Sequence, residues 1–210
     1  MAADELLLAA VSPACAWLRL YGWTVPALSF GYFQPHSVIP AGRPAVRRLS
    51  GGGVVDHARD LTFSLAVSRD HALYRLNRFA SYETVNRALL PVAAGLGLRA
   101  WLAETTTGVD DRRLLVCFAA PARHDIVTPA GKWCGGAQRR TAQGLLLQGS
   151  IALELTPGQP RAAVAAAVAQ ALAALLAPAC QHWAPDAPFL ARVAKLAASR
   201  YANEAWHHKR

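Results

Sequence analysis

The order of predicted elements indicates an α+β fold. One short helix opens the chain, a series of strands interrupted by a single helix follows, and two helices close it. Clustered strands with helices at the ends are typical of α+β domains, whereas regular alternation would predict a parallel sheet. The 210 residues favour one domain, and 53% apolar with 17% charged residues excludes a disordered chain. We therefore expect residues 1–210 to form a single domain.

The first half of the chain predicts a helix and four strands. Asp4 and Glu5 lie in the first turn of a helix over about residues 3–11, where the positive end of the helix dipole favours acidic side chains. Apolar and aromatic segments bounded by glycine and proline predict strands over 16–21, 27–33, 46–50 and 61–67. Three consecutive glycines, at 51–53, separate the last two of these strands.

The second half predicts three helices, four strands and a polar loop. A helix over about 81–94 ends near Gly95, and an alanine-rich helix runs from Pro160 to Pro178. A last helix over about 188–205 carries Leu190, Val193, Leu196 and Ala197 on one face. The strands are predicted at 98–104, 124–128, 132–140 and 145–155, and the loop at 105–113.

Composition narrows the setting and the partners. Lys and Arg outnumber Asp and Glu by 22 to 13, so the net charge of +9 favours an acidic partner. Four scattered cysteines without a C-x-x-C pair favour a reducing cytoplasm and argue against a structural zinc site. The acidic start argues against a secretory signal, and the alanine-rich run predicts a soluble helix rather than a membrane span.

The first segment that suggests chemistry is Arg47-Arg48-Leu-Ser-Gly-Gly-Gly, followed by His57. Glycines after a strand let the backbone approach a ligand and turn its amides toward an anion. A hairpin turn with exposed bases explains the same pattern. The segment is neither a Walker loop, since no Gly-Lys-Ser/Thr follows, nor a dinucleotide fingerprint, since strands follow rather than a helix.

The second segment is Lys132-Trp-Cys-Gly-Gly-Ala-Gln, in which a strand interior carries small residues. Small residues there usually mark the close approach of a ligand or another backbone, although packing beside a helix gives the same signal. Together with the glycines at 51–53, the segment favours a shared slot for a long, thin ligand.

Cys117 is a candidate nucleophile because it follows a polar loop, whereas Cys134 lies within a strand and is expected to be inert. A reactive thiolate needs a nearby cation or base. His57, His124 and Lys132 are candidate neighbours, but a buried, unreactive Cys117 remains an alternative on the residues alone.

In this order, the motifs resemble the lipoate–protein ligase and octanoyltransferase family. The family carries Arg-Arg-x-Ser/Thr-Gly-Gly followed by a His, then Lys-x-x-Gly-x-Ala-Gln, then Gly-Ser, here Gly149-Ser150. Residues 21–34 and 200–210 also resemble its flanking stretches. The resemblance implies a single catalytic domain of the biotin/lipoate-ligase type, with mixed β-sheets flanked by helices.

Within the family, cysteine-dependent octanoyltransferases have Cys-Phe-x-x-Pro fifteen residues before the signature lysine, as Cys117 stands before Lys132. The resemblance implies that Cys117 forms an acyl thioester and that Lys132 stabilises the developing oxyanion and lowers the pKa of the thiol. It also implies a set of residues that line the acyl slot and its mouth: Arg48, Ser50, Gly51, Gly52, Gly53, His57, Gly135, Gly136 and Ala137.

The implied reaction moves octanoate from acyl carrier protein to the lysine of a lipoyl domain, such as glycine cleavage H protein or a 2-oxoacid dehydrogenase E2. It requires no cofactor and no metal, and we expect neither nucleic acid nor membrane as a partner. The first alternative is an ATP-dependent lipoate ligase, which would use ATP and Mg²⁺, with Lys132 on the α-phosphate.

The chain also departs from the family pattern. Ala58 stands where an Asp usually follows the signature His, and Leu147-Gln148 stand where a His is common. These departures motivate a second alternative, a non-catalytic binder of acyl groups or lipoyl domains. The family usually has a strand before the helix that here begins at Met1, so we expect that strand to be missing, either because the natural start lies upstream or because the strand is lost.

Overall fold

A computed structural model describes residues 1–106, 120–156, 158–177 and 179–209 of the chain. Two β-sheets flanked by helices confirm the α+β class. The helices are α1 (Ala2–Ala9), α2 (Ala72–Arg75), α3 (Arg78–Gly95), α4 (Arg161–Leu176), α5 (Ala187–Leu196) and α6 (Glu204–His207). The strands are β1 (Trp17–Tyr21), β2 (Leu28–Phe30), β3 (Ala45–Arg47), β4 (Val55–Asp56), β5 (Asp60–Ser68), β6 (Trp101–Leu102), β7 (Ile126–Thr128), β8 (Gly131–Arg140) and β9 (Gly144–Ala152).

The large sheet has six antiparallel strands in the order β1-β5-β9-β8-β7-β6, and the small sheet has the order β3-β2-β4. In the small sheet, β2 pairs with β3 in parallel and with β4 in antiparallel fashion. Because β3 and β4 lie on opposite sides of β2, the glycines at 51–53 cross between edge strands. The hairpin interpretation of these glycines is therefore wrong.

The main core lies between the large sheet and the helices α3 and α4. Side chains alternate between the faces of a strand, so Phe63 and Leu65 of β5 join Leu147 of β9 on this face. The alanine-rich helix α4 meets the core through residues spaced by one helical turn, which are Val164, Val168, Leu172 and Leu176.

The opposite face of the large sheet is apolar at one end and polar at the other. Ala66 and Leu146 pack there against α1 and Phe189 of α5. Further along the same face, Thr62 of β5 pairs with Ser150 of β9, which pairs with Gly135 of β8. The pocket described below opens at this polar end.

The predicted last helix is broken. After α5 the chain forms a π-helical turn over Ala197–Tyr201, and α6 begins anew because the Asn203 side chain accepts a hydrogen bond from the amide of Ala205. Phe189 is buried, while Leu190 is 52% exposed, so the predicted apolar face was wrong at Leu190.

Other predicted boundaries shift by a few residues. The strand predicted at 98–104 contracts to Trp101–Leu102, the strand at 27–33 to Leu28–Phe30, and that at 145–155 ends in a 3-10 turn over Leu153–Leu155. The predicted loop beyond residue 106 and Pro178 lie outside the described residues. Within the described part of the chain, the helices are too short or too polar to cross a bilayer.

Candidate active site

A pocket with an empty volume of about 410 Å³, partly open to solvent, lies between the polar end of the large sheet and the small sheet. Both sheets contribute residues to the pocket, so segments that are far apart in the sequence line the same cavity. The lining residues are Met1, Tyr21, Ser29, Arg48, Val55, His57, Thr62, Lys132, Gly135, Gly136, Ala137, Gln148, Gly149 and Ser150.

Lys132 brings a buried positive charge to the pocket wall. Its Nζ lies 2.6 Å from Oδ2 of Asp125, and the two side chains are 5% and 1% exposed. Asp125 also accepts hydrogen bonds from the hydroxyl of Tyr82 and from the amide of Ala122 at 2.7 Å. Burial, together with the Asp125 charge, raises the pKa of Tyr82, so its phenol stays protonated and donates. The ammonium group is thus fixed in position.

The glycines of β8 are explained by this lysine and by the neighbouring strand. A Cβ atom on Gly135 would lie 2.2 Å from Cε and 2.5 Å from Nζ of Lys132. A Cβ on Gly136 would lie 2.7 Å from the carbonyl oxygen of Gln148, and the Gly136 amide donates to the Tyr82 hydroxyl at 2.7 Å. The small residues therefore make room for the Lys132 side chain, and they also line the pocket.

Arg48 turns inward and organises the glycine-rich segment. Its guanidinium donates to Oγ of Ser29 at 2.7 Å and to the carbonyl oxygens of Gly51 and Gly53 at 3.0 and 2.6 Å. Gly52 has φ of +83°, a conformation that favours glycine. The Ser50 hydroxyl donates to Oε1 of Gln148 at 2.7 Å.

The structure therefore separates the predicted slot residues into two groups. Arg48, His57, Gly135, Gly136 and Ala137 line the pocket, whereas Ser50, Gly51, Gly52 and Gly53 do not. The second group forms the support behind Arg48 and the link to β9.

Arg47 is completely buried and points away from the pocket lining. Its guanidinium donates to the carbonyl oxygens of Tyr32 at 2.8 Å and Gln34 at 2.6 Å. It also donates to the carbonyl oxygens of Trp206 at 3.0 Å and His207 at 2.5 Å, and the Trp206 indole donates back to the Arg47 carbonyl at 3.1 Å. Arg47 thereby joins the small sheet to α6.

A hydrogen-bonded chain runs from Ser29 of the small sheet through His57 to Asp60 of the large sheet. Ser29 Oγ lies 2.6 Å from His57 Nε2, and His57 Nδ1 lies 2.7 Å from Asp60 Oδ2. The same carboxylate oxygen accepts from the hydroxyls of Thr62 at 2.9 Å and Ser150 at 2.6 Å. Sequence reasoning found only His57, because Ser29 and Asp60 come from elements whose packing had to be known.

The two departures from the family pattern, at Ala58 and at Leu147-Gln148, do not remove the polar groups from the pocket. Ala58 is exposed, and the carboxylate beside His57 comes instead from Asp60. Leu147 is 1% exposed in the main core, while Gln148, its neighbour on β9, lines the pocket. The alternation of faces along a strand explains this difference.

Cys117 lies outside the described residues. Cys134 is fully buried, and burial together with the nearby Asp125 carboxylate raises the pKa of its thiol. A thiol that stays protonated is a poor nucleophile, which agrees with the inert role expected for Cys134. Cys15 and Cys180, the other described cysteines, do not line the pocket. His124 does not line it either, and its Nε2 lies 3.8 Å from Glu83.

Comparison with known proteins points to one family. The model of the lipoyl protein ligase A/B catalytic domain matches residues 1–178. Octanoyltransferase LipM of Geobacillus kaustophilus is 34% identical over 172 residues, which are 74% of this chain and 61% of that protein. Octanoyltransferase LipM of Bacillus cereus is 36% identical over 150 residues, 66% of this chain and 54% of that protein. The chain thus spans between half and two thirds of these relatives.

Solved structures share the fold. Protein Ta0514 from T. acidophilum with bound lipoic acid matches with a TM-score of 0.79 at 20% identity, covering 100% of this chain and 92% of that one. A lipoate-protein ligase A bound with ATP matches with a TM-score of 0.77 at 20% identity, covering 99% and 92%. The predicted ligase-type catalytic fold is confirmed by these likenesses.

Proposed function

Because this chain belongs to the family of lipoyl protein ligase A/B catalytic domains, we propose that it is a cysteine-dependent octanoyltransferase. It takes an octanoyl group from acyl carrier protein and passes it to a lysine of a lipoyl domain, with no ATP, metal or other cofactor. Acceptors of this class include glycine cleavage H protein and the E2 subunits of 2-oxoacid dehydrogenases.

In the first step, the Cys117 thiolate attacks the carbonyl carbon of the octanoyl thioester on the carrier. A carbon–sulfur bond to Cys117 forms, the bond to the carrier sulfur breaks, and the carrier leaves as a thiolate. Exchange between thioesters is nearly neutral in energy, so nucleotide hydrolysis is unnecessary. The Lys132 ammonium stabilises the oxyanion that develops on the carbonyl oxygen.

In the second step, the amine of the acceptor lysine attacks the Cys117 thioester. A carbon–nitrogen bond forms, the carbon–sulfur bond to Cys117 breaks, and the amine nitrogen loses a proton. The product amide is more stable than the thioester, which drives transfer forward.

The observation that carries the proposal is the buried Lys132 ammonium, held by Asp125 at 2.6 Å on the wall of a pocket. It supports the octanoyltransferase assignment together with relatives that bear that name at 33–36% identity. The net charge of +9 fits two acidic carrier proteins that are bound in turn. We place the reaction in the cytoplasm.

One experiment separates the alternatives. The protein is incubated with octanoyl-acyl carrier protein in the absence of ATP, and the intact mass is measured. We expect a covalent octanoyl adduct that disappears in Cys117→Ser and forms more slowly in Lys132→Met. Cys15→Ser is the matched control, which should keep the adduct.

Other outcomes contradict the proposal. Modification of a lipoyl domain only with free octanoate and ATP would identify a ligase. Binding of octanoyl carrier or lipoyl domain with neither adduct nor modification would identify a non-catalytic binder.

A further inference from the structure

Resting on the proposed octanoyl transfer, we propose that the chain Ser29–His57–Asp60 is the proton relay that deprotonates the acceptor amine. His57 is the general base, and Ser29 connects it to the pocket. Asp60 orients the imidazole and compensates the positive charge that it gains. Ser29 and His57 line the same pocket as Lys132, and Asp60 lies directly behind His57.

Along Ser29, His57 and Asp60, each group donates its hydrogen bond toward Asp60. Asp60 Oδ2 accepts from the hydroxyls of Thr62 and Ser150, so His57 Nδ1 carries its proton toward the carboxylate. In a neutral imidazole, Nε2 is then the acceptor. Arg48 is a donor only, and it already donates to Ser29 Oγ, so the hydrogen of Ser29 is directed to His57 Nε2 at 2.6 Å.

Burial explains why Asp60 is required. Ser29, His57 and Asp60 are 0%, 6% and 3% exposed, so an imidazolium formed here is poorly solvated. A buried charge is costly unless a counter-charge lies next to it. Among the described residues, His57 is also the basic partner within ion-pair distance of Asp60, which makes the two groups complementary.

The imidazole ring is held in one orientation. The indole of Trp23 stacks on it with ring centroids 4.1 Å apart and an interplanar angle of 19°. Trp23 Nε1 donates to Thr62 Oγ1 at 3.0 Å, and Thr62 donates in turn to Asp60. A fixed ring keeps Nε2 aimed at Ser29, as a proton relay requires.

The transfer step needs such a base. A lysine amine is largely protonated at neutral pH, and its nitrogen carries a positive charge after it attacks a thioester. Lys132 lies against Asp125 at 2.6 Å, and the proposed function assigns it to the oxyanion. Among the described residues that line the pocket, His57 is the imidazole.

The proton balance is simple. The acceptor lysine reacts as its neutral amine, having left its first proton with solvent. As its nitrogen bonds to the carbonyl carbon and Cys117 leaves as a thiolate, a second proton passes from the nitrogen to Ser29 Oγ. The Ser29 hydroxyl proton passes to His57 Nε2, giving an imidazolium beside Asp60. Release of that proton to water, or to the Cys117 thiolate, restores the starting state.

The test separates acylation from transfer. Octanoyl-enzyme is prepared from an octanoyl thioester, and a single turnover onto a lipoyl domain is followed by intact mass. We expect His57→Gln and Ser29→Ala to slow this transfer about 100-fold, the lower end of general-base effects, with acylation rates within about threefold. Asp60→Asn should behave alike, and Asp60→Glu should recover most of the rate. His182→Gln, at an exposed histidine, is the matched control.

A second acceptor distinguishes proton transfer from packing. Hydroxylamine is already unprotonated at neutral pH, so it should cleave the octanoyl thioester of the variants, giving octanohydroxamate, within about threefold of the parent rate. Normal transfer to the lipoyl domain in His57→Gln overturns the relay. Equal losses in the rates of acylation and transfer also overturn it, as do equal losses in the rates with both acceptors, because they indicate a structural or acyl-binding role.

An octanoyl ester on Ser29 that persists in Cys117→Ser would instead identify Ser29 as a nucleophile. If the parent protein forms no octanoyl-enzyme, the proposed function itself fails and the relay falls with it.

Discussion

The two halves of the pocket are held in different ways. The large-sheet half lies on β5, β9 and β8, which pair over most of their length and rest on the main apolar core. The small-sheet half has short strands and a small core of Leu28, Phe30 and Val54. Its shape depends on two buried arginines, Arg47 and Arg48, that bind carbonyl oxygens.

Because the two halves are stabilised differently, they should respond differently to single substitutions. Apolar packing spreads stability over many side chains, each of which contributes through its own close contacts. A guanidinium concentrates several hydrogen bonds in one side chain, and its removal strands all its acceptors at once. We therefore expect the small-sheet half to be fragile at a few polar positions, whereas the stability of the large-sheet half is shared among many apolar side chains.

The largest effect is expected for Arg47→Met. The carbonyl oxygens of Tyr32, Gln34, Trp206 and His207 would lose their buried donor, so unfolding free energy should fall by roughly 3–5 kcal/mol. Urea denaturation measures the change, with exposed Arg59→Met as the control. A loss similar to that of the control would contradict the proposed fragility of this half.

Asp4→Asn probes a side chain of the large-sheet half that, like Arg47, concentrates several buried hydrogen bonds. Asp4 is buried and accepts from Arg19 at 2.9 Å and from Ser64 and Gln148 at 2.8 Å. Burial alone would raise its pKa, but the N-terminal amine, Arg19 and these hydrogen bonds together hold the pKa of Asp4 below its usual range.

A lowered folded-state pKa contributes stability above the unfolded value of about 3.9 and loses it as pH falls through the folded value. Asp4→Asn should therefore lower the unfolding free energy by roughly 2 kcal/mol at pH 7. The difference from the parent should narrow below about pH 4. Denaturant melts across this range measure it, and a difference that is constant with pH would show that the charge is unimportant.

Gly135→Ala affects the chemistry more than the fold. The added methyl would overlap Lys132 Cε and Nζ, so the ammonium must move. We expect octanoyl-enzyme formation to slow about tenfold, because small displacements of a catalytic group are costly. Gly95→Ala, where nothing lies within 4 Å of the new Cβ, is the matched control. Equal rates in both variants would show that the position of Lys132 is not critical.

The smallest effect is expected where the two halves meet. Ser50→Ala removes the 2.7 Å hydrogen bond to Gln148, which joins the glycine-rich segment to β9. A loss of about 1 kcal/mol in unfolding free energy follows from a single buried hydrogen bond. Thermal or urea melts measure it, and a loss as large as that of Arg47→Met would show that this contact, rather than the arginine, holds the small sheet.

The sequence predicted the long strands of the large sheet well, because the apolar patterns of β5 and β9 are strong enough to distinguish a strand from other structure. The family motif marked Arg48 alone for the slot, but nothing in the sequence showed what Arg47 binds, because its acceptors Trp206 and His207 lie far along the chain. For the same reason it missed Ser29 and Asp60 beside His57, and Asp125 beside Lys132. The glycines of β8 were singled out correctly, but their main neighbour is the Lys132 side chain.

The bonds from Arg47 to Trp206 and His207 also have a consequence for synthesis. Arg47 and Trp206 are separated by 159 positions, so a ribosome makes the guanidinium long before it makes these acceptors. Until that segment emerges, the guanidinium of Arg47 must donate some of its hydrogen bonds to water, and the small sheet is not yet joined to α6. A nascent chain should therefore assemble the large sheet first and complete the pocket wall late in translation.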